Sequence, residues 1–509
     1  MIEPHNPDAP KNMGQVGVID IGSNSIRLVI YDIYGAHFTP VYNEKILAGL
    51  GRDLKMTGRL SDSGKQACLQ ALQRFYRIAR ARNLPKLLIG ATAAMRAAKD
   101  APAFIQDIYE RTGLKIVPIS GAEEARLSAM GLVAGDSRRV GLAADLGGAS
   151  LELMQVANGQ IGQSASLPLG PFDVVGANLR NVSSEQYLDI GEQIDDILRP
   201  LPPELIYTDT LYLIGGAWRN LAAVHQQRTL YPMRTLQAYE MRAAEARGLA
   251  NWAYNDGIET VLNWAGMRRA RAETLPYAGL MLEKLLALTD AQKVVISIAG
   301  LREGLVFDTF SPAVQLRDAM LDGCVDFAHG TEQEKNFGKP LYEFIKEVSS
   351  TLPIAFNTTA DIRLHKAACL LAGIGKNLHP DYRAELVFDD ILYAPIAGLT
   401  HQERAFLALI LFRSFTHKRA VPNGPALDKI LTSAQIKTAR SIGGMIRLAI
   451  VATGRSVDLL REFKFHISGD ALTLSVSQEE VALMTDQVIF RLERLGQFMK
   501  CPTVADTHK

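Results

Sequence analysis

The sequence predicts two α/β lobes followed by a separate helical domain, and three observations carry that prediction. A short pattern occurs twice, as Val18–Leu28 and again as Ala143–Leu153, with Asp145 standing 125 positions after Asp20. Each copy opens a run of three strands that then alternates with helices, the order of an α/β layer with parallel strands. After about Ser311 the strand pattern stops, and residues 316–463 read almost entirely with a helical period.

Residues 1–14 are polar, with Pro4 and Pro10, and are expected to be a flexible tail. Lobe I is expected over 15–136. Val16–Ile21 and Ser25–Ile33 form its first hairpin, and a third strand ends near Tyr42. Ser61 then caps a helix through about Arg82, with Cys68, Leu69, Leu72, Phe75 and Ile78 on one face. Lys86–Thr92 suits a buried parallel strand. A helix follows from Pro102 to Thr112, closed by Gly113, then a strand at Lys115–Ser120 and a helix from Gly121 to Gly135. Lobe II is expected over 137–314. Its strands are Gly141–Leu146, Ser150–Val156, Ile161–Leu167, Leu211–Ile214 and Lys293–Ile298. Its helices are Ser184–Leu198, one after Gly215-Gly216, Tyr239–Trp252, Gly257–Arg271, Leu280–Leu288 and one from Leu301. The helical domain takes 315–509, with polar breaks such as Gly330–Gly338 and a small hairpin in Phe465–Val476. A closing helix, Glu479–Gln497, and a frayed tail from Cys501 end it.

With 48% hydrophobic and 21% charged residues and a net charge of +1, the composition is that of a soluble globular protein. A membrane span needs about 18 or more uninterrupted apolar residues, and none occurs. The N-terminal stretch lacks the apolar centre of a signal peptide. Cys68, Cys324, Cys369 and Cys501 have no paired spacing, which argues against a disulfide framework or zinc site and fits a reducing cytoplasm.

The repeated pattern is a strand ending in Asp, a Gly/Ser turn, and a second strand. Gly22, Ser23, Asn24 and Ser25 form the first tip; Gly147, Gly148, Ala149 and Ser150 form the second. Successive backbone N–H groups in such turns make an anion-binding nest. The aspartates cannot hold phosphate themselves and point to a metal or a water beside it. Arg27 occupies in the first hairpin the place of Glu152 in the second, so one lobe offers a cation and the other a metal ligand. Asp145 and Glu152 supply the hard oxygen ligands that Mg²⁺ takes alongside phosphate oxygens.

Three further stretches belong to the same chemistry if strand ends line the cleft. Thr92 and Arg96 follow a strand end and can grip phosphate, although an exposed arginine opening a helix is the commoner reading of Arg96 alone. Glu123 and Glu124 open a helix after Ser120-Gly121, where acids usually serve the helix dipole. The functional alternative has one of them turned into the cleft to accept a proton from water. Gly215-Gly216 presents N–H groups at a helix start; it is also the ordinary way to pack a helix on a strand. In the helical domain, eleven basic residues face three acids between Arg404 and Lys464. Such an excess attracts polyanions, and Arg413, Lys418, Arg419, Arg440 and Arg447 are its candidate phosphate path. No motif for reading bases accompanies them, so sequence-specific nucleic-acid binding is not expected.

Over about residues 14–312 the chain resembles the exopolyphosphatase/guanosine pentaphosphate phosphohydrolase family of the sugar kinase–Hsp70–actin superfamily. The motifs, in order, are Asp20-Ile21-Gly22-Ser23-Asn24-Ser25, Thr92 to Arg96, and Ser120-Gly121 with Glu123-Glu124-Ala125-Arg126. Asp145 to Glu152, Gly215-Gly216, and Gly300-Leu301-Arg302-Glu303-Gly304 follow. The resemblance implies two ribonuclease H-like lobes of the actin-like ATPase type. It implies Glu124 as general base, Arg96 as phosphate grip, Asp145, Glu152 and Asp20 at the metal, and the two tips as phosphate loops. Two departures stand out: Ala149 where the family has glycine, and Trp218 where it has a small or hydroxyl residue, which could alter the cleft floor. The C-terminal region loosely resembles the His-Asp metal-dependent phosphohydrolases, but the metal-binding pair appears as Ala372-Gly373, so no second active site is expected there.

The activity implied is processive, Mg²⁺-dependent hydrolysis of terminal phosphate from linear inorganic polyphosphate, with K⁺ as a stimulant and a cytoplasmic homodimer as the working form. The alternatives are 5′-phosphohydrolysis of guanosine pentaphosphate in the same site, an ATP-dependent kinase on the same fold, and a polyphosphate- or nucleotide-sensing protein without turnover.

Overall fold

The computed structural model describes residues 12–176, 184–255, 273–328, 332–422 and 424–508. The chain divides into two compact units, Met1–Ala319 and Met320–Lys509.

The first unit holds two sheets. In the first, β1 (Asn12–Ile21), β2 (Ser25–Tyr34), β3 (His37–Leu47) and β4 (Lys86–Ala91) lie in the order β3-β2-β1-β4. β1 pairs antiparallel with β2 and parallel with β4. It is buried on both faces, so its apolar alternation feeds two cores. Ile19 and Ile21 pack with the Asp62–Ala81 and Ala101–Thr112 helices, while Val16 and Val18 pack with Val306, Phe307 and Phe310. The second sheet repeats the plan with β5 (Val140–Leu146), β6 (Leu151–Ala157), β7 (Gln160–Leu167) and β8 (Thr210–Ile214). It adds β9 (Glu240–Arg242) and β10 (Lys293–Ser297), in the order β7-β6-β5-β8-β10-β9.

Two helices tie the sheets together. Gly121–Gly135 lies between them, with Ala125, Ala129 and Val133 in the core under the second sheet and Leu127, Met130 and Ala134 in that of the first. Leu301–Phe307 crosses it so closely that a methyl group on Gly304 would stand 1.8 Å from the Leu127 carbonyl oxygen, and one on Gly131 2.0 Å from that of Gly300. Only glycine permits this crossing.

Several expectations need correction. Lys115–Ser120 is not a strand: it touches the first sheet through a single bridge between Ala91 and Pro118, because Pro118 has no N–H for a ladder. The expected Tyr239–Trp252 helix begins as β9, and the helix itself is Ala243–Asn255. Gly257–Arg271 lies outside the described residues. β1 begins at Asn12, inside the expected tail.

The second unit is built of helices around His401–Phe415, in which Ala405–Phe412 are all buried. Thr400 and Thr432 open their helices as capping boxes with Glu403 and Gln435. The expected break at Gly330–Gly338 is helical from Glu332, since Gly338 lies against Leu370 of the Thr358–Leu370 helix. The terminal hairpin is a three-stranded sheet of β11 (Phe463–Ser468), β12 (Ala471–Ser477) and β13 (Thr503–His508). β13 pairs parallel with β12, so the tail is not frayed; its mostly exposed side chains hid it from a pattern search. The expected Glu479–Gln497 helix is a 3-10 segment, Gln478–Leu483, followed by Asp486–Met499.

Candidate active site

The two hairpins close in the same way. Gly22 N donates to Ser25 O at 3.0 Å, and Gly147 N donates to Ser150 O at 2.9 Å. Across the strands Asp20 pairs with Arg27 and Asp145 with Glu152. The tips face one another: a methyl group built on Gly148 would lie 3.5 Å from Ser23 Cβ and 3.1 Å from the Phe172 ring. Phe172 N donates to Gly148 O at 2.9 Å, so the Gly170-Pro171-Phe172 segment braces the second tip from behind. Among the described residues the amides of Ser23, Asn24, Gly148 and Ala149 meet no protein acceptor. Ala149 therefore leaves the second nest intact.

One wall is the Gly121–Gly135 helix. Ser120 caps it by accepting from Glu123 N at 3.1 Å. The helical period then separates the two glutamates. Glu123 turns outward to pair with Arg126 at 2.7 Å, and Arg126 also reaches Asp308 at 3.0 Å. Glu124 turns inward, is buried, and meets Arg96 Nη1 at 3.2 Å. Arg96 Nη1 also donates to Ile119 O at 2.7 Å. Thr92 is buried at the N-cap of the Ala93–Ala97 turn, with its amide on Ile21 O at 3.1 Å, which locks the Arg96 turn to the first hairpin.

Four carboxylates share this space. Burial pushes Glu124 up to about 7; Arg96 opposes the shift, and the charges of Asp145 and Asp20 add to it. Glu152, 1% exposed, is held well above the usual range by burial and then by Glu124 and Asp145. Its Oε1 accepts from Ser166 at 3.1 Å. Asp145 is raised by burial, although it accepts from Ser128 Oγ at 2.6 Å. Asp20 is raised by burial against the pull of Arg302, whose Nε lies 3.7 Å from it, and of Arg27. Carboxylates desolvated in this way with few internal donors form an all-oxygen set suited to Mg²⁺. Among the described residues no three His, Cys, Asp or Glu side chains gather as a cage. One or two of these carboxylates could serve as ligands to such an ion.

Gly215 and Gly216 stand at the turn from β8 to the Gly216–Arg228 helix. Gly215 has φ +125°, and a side chain there would strike the Leu146 carbonyl oxygen at 2.7 Å. That turn thus lies directly beneath the second hairpin. Trp218, expected at the cleft floor, is instead 0% exposed in the core beneath the second sheet, where its ring fills volume.

One residue here escaped the sequence reading, and two more were named in it without a role. Ser128 follows Glu124 by one helical turn, so the i, i+4 rule alone could have placed it on the same face. Arg302 and Glu303 were visible only as members of the Gly300–Gly304 motif of the resemblance. Arg302 meets Asp20, while Glu303 accepts from Tyr31 at 2.6 Å and from Gly300 N at 2.9 Å, fastening the helix start to the first sheet. The five basic residues Arg413, Lys418, Arg419, Arg440 and Arg447 all line one cavity in the second unit.

Comparison with known proteins identifies the family and the fold. Residues 29–312 match the model of the Ppx/GppA phosphatase family, and residues 336–501 match that of the exopolyphosphatase C-terminal region. Among solved structures, an exopolyphosphatase from Cytophaga hutchinsonii is 23% identical, with a TM-score of 0.53, covering 58% of this chain and 99% of its own. The Ppx/GppA family member from Aquifex aeolicus is 21% identical, with a TM-score of 0.51 and coverage of 58% and 99%. At such identities these two establish the fold alone, that of two α/β lobes. With a family match over more than half its length, this chain belongs to the Ppx/GppA phosphatase family.

Proposed function

We propose that the chain is an exopolyphosphatase that removes terminal phosphate from linear inorganic polyphosphate. The observation that supports this most is Glu124, a buried carboxylate pushed up to about 7 beside Arg96 and within the field of Asp145 and Asp20. A base of that pKa is about half ionised at neutral pH and strong enough to accept a proton as water attacks. The terminal phosphate lies against the amides of the two tips, with Arg96 on its oxygens. Glu124 takes a proton from water, the water oxygen bonds to the terminal phosphorus, and the bridging P–O bond breaks. The bridging oxygen stays with the shortened chain. Asp145 and Glu152, with Asp20 nearby, would hold Mg²⁺, which would neutralise phosphate charge when bound. Thr92 and the Gly215-Gly216 turn hold the hairpins in position, and the amide donors are fixed before reaction, which is how phosphoryl transfer is accelerated electrostatically. A cytoplasmic homodimer stimulated by K⁺ belongs to the same reading.

The preference for polyphosphate over guanosine pentaphosphate rests on the arginine-rich second unit. The test is phosphate release with Mg²⁺, with and without K⁺, from long polyphosphate, guanosine pentaphosphate and ATP side by side. Fastest release from long polyphosphate supports the proposal, and fastest release from guanosine pentaphosphate replaces it. Tight binding without release from any of them makes the chain a sensor.

A further inference from the structure

The two hairpin tips rest on separate supports. The first tip carries residues 48–58 against it. The amides of Ala48 and Gly49 donate to Asn24 O at 3.1 and 3.0 Å, and Gly51 N donates to Ser23 O at 2.8 Å. A methyl group on Gly51 would stand 3.1 Å from Ser23 Cβ, so the segment lies on the tip itself. It then makes one helical turn, Leu54–Thr57, closed by Gly58, whose carbonyl oxygen accepts from Lys99 N at 3.0 Å. The second tip is supported by the turn Pro171–Val174. Phe172 N holds Gly148 O, and a methyl group on Gly170 would collide with the Ala149 backbone. Tyr277 fastens the start of this segment by donating to Leu169 O at 2.8 Å.

Lys55 joins the two supports. It leaves the first turn, crosses from one lobe to the other, and donates from Nζ to the Val174 carbonyl oxygen at 3.1 Å. That oxygen ends its turn, where the last carbonyls lack an internal partner and accept readily from lysine. Burial raises the neighbouring Asp173 carboxyl, and the Lys55 charge pulls it back. Lys55 itself is exposed, so the contact is easily broken. The junction made by the Gly121–Gly135 and Leu301–Phe307 helices differs in kind, because it is packed to backbone contact at Gly131 and Gly304.

An ordinary surface lysine extends into water and adds little to stability. Here the ammonium instead spans two lobes and ends on the support of the opposite tip. One junction is solid and the other is a single reversible hydrogen bond beside the tips, so the lobes can part at the tips while staying joined at the helices. What such a bond governs is the spacing of Ser23 and Gly148, and hence whether both sets of amides meet the same phosphate. Reactions that depend on pre-placed donors are sensitive to small errors in that spacing.

We propose that Lys55 is a positioning residue for phosphate-chain hydrolysis: through the Val174 carbonyl it holds the two tips together on one terminal phosphate and retains the chain between successive cleavages. This role rests on the hydrolytic reading above and concerns retention, not the chemical step. While the Lys55 contact is made, a shortened chain stays and is cut again; when it opens, the chain can leave.

The experiment compares the full chain with its Lys55→Met and Lys55→Arg variants on long polyphosphate with Mg²⁺. Methionine keeps an unbranched side chain and loses the donor, whereas arginine restores one. In the methionine variant KM should rise about three- to tenfold, the strength of one exposed hydrogen bond from a charged donor, with kcat within about twofold and Tm unchanged. Partly digested samples run on a gel should show mainly intact and fully degraded chains for wild type and a ladder of intermediate lengths for Lys55→Met. Arginine should return both readouts toward wild type. An unchanged KM, a gel without the ladder, or an arginine variant as impaired as methionine would each overturn the assignment. A fall in kcat at constant KM would also overturn it, since it would place Lys55 in the chemical step. A second measurement needs no turnover: spin labels on Tyr109→Cys and Tyr207→Cys, exposed positions with one on each lobe, in a chain whose half-buried Cys501 is replaced by Ser while the other three cysteines stay buried. The longer-distance population should grow about threefold or more on adding Lys55→Met, and identical distributions would sink the proposal. Failure of the hydrolytic reading would show differently, as wild-type protein that releases no phosphate while the label distances still respond to Lys55→Met.

Discussion

Replacing Glu124 by Gln should abolish most turnover and at the same time stabilise the protein. The side chain is almost the same size, so the packing against Arg96 and the helix is kept. Loss of a general base costs a factor of roughly 10² to 10⁴ in kcat. The stability effect follows from the carboxyl's displacement from 4.5 to about 7. That displacement is worth about 3 kcal/mol at 1.36 kcal/mol per unit. Its sign is set by the folded pKa lying above the unfolded one. Ionising Glu124 then costs more in the folded chain, so stability is complete below about pH 4.5 and declines as pH rises through about 7. Gln never ionises. The variant should therefore match wild type near pH 4.5 and exceed it at pH 8, by roughly 5 °C in Tm for a unit of this size. Phosphate release and thermal melting at both pH values make the assay. Unchanged turnover would remove Glu124 as base, and an equal Tm difference at both pH values would refute the desolvation argument.

Other outcomes follow from the same geometry. In wild type, kcat/KM should fall about tenfold per pH unit below about 7, as Glu124 takes up its proton, and a flat profile from pH 5 to 8 would contradict its assignment. Asp145→Asn keeps an acceptor for Ser128 but removes a charge, and should raise the Mg²⁺ concentration for half-maximal rate by more than about tenfold, read from rate against Mg²⁺. Gly304→Ala places a methyl group 1.8 Å from the Leu127 carbonyl oxygen and should cost about 1–3 kcal/mol in the urea unfolding of the first unit. Deleting Thr503–His508 strips the parallel partner from β12, and should cost a few kcal/mol at about 1 kcal/mol net per hydrogen bond, seen as earlier melting of the second unit in calorimetry.

Much of the site was legible because its parts are local. Each hairpin tip needs only a strand ending in Asp, a short turn with glycine, and a second strand, and the identical spacing of Asp20, Gly22 and Ser25 with Asp145, Gly147 and Ser150 marks them as one design. Glu124 was separable from Glu123 only through the family motif; the structure adds that Glu123 is spent on Arg126 one turn later. Residues that act through distant partners were less visible. Arg302 gains meaning from Asp20, some 280 positions away, and nothing near it in the chain signals that encounter. Trp218 was misread because its neighbours are those of a phosphate turn, while its ring belongs to the packing beneath the second sheet. The 503–508 strand failed the pattern search because its side chains are mostly exposed, and its place is set by backbone pairing.

By itself the sequence determined the paired hairpins and the helical second half, since turns, helix caps and apolar periods are written within a few residues of one another. The tertiary structure alone decided that Ser23 and Gly148 meet, and that the glycines of two helices let them cross at backbone contact. It alone brought Arg491 and Arg494 to the cavity of Arg440 and Arg447. Those outcomes depend on close packing between segments far apart in the chain, and proximity in space leaves no periodic trace in the order of residues.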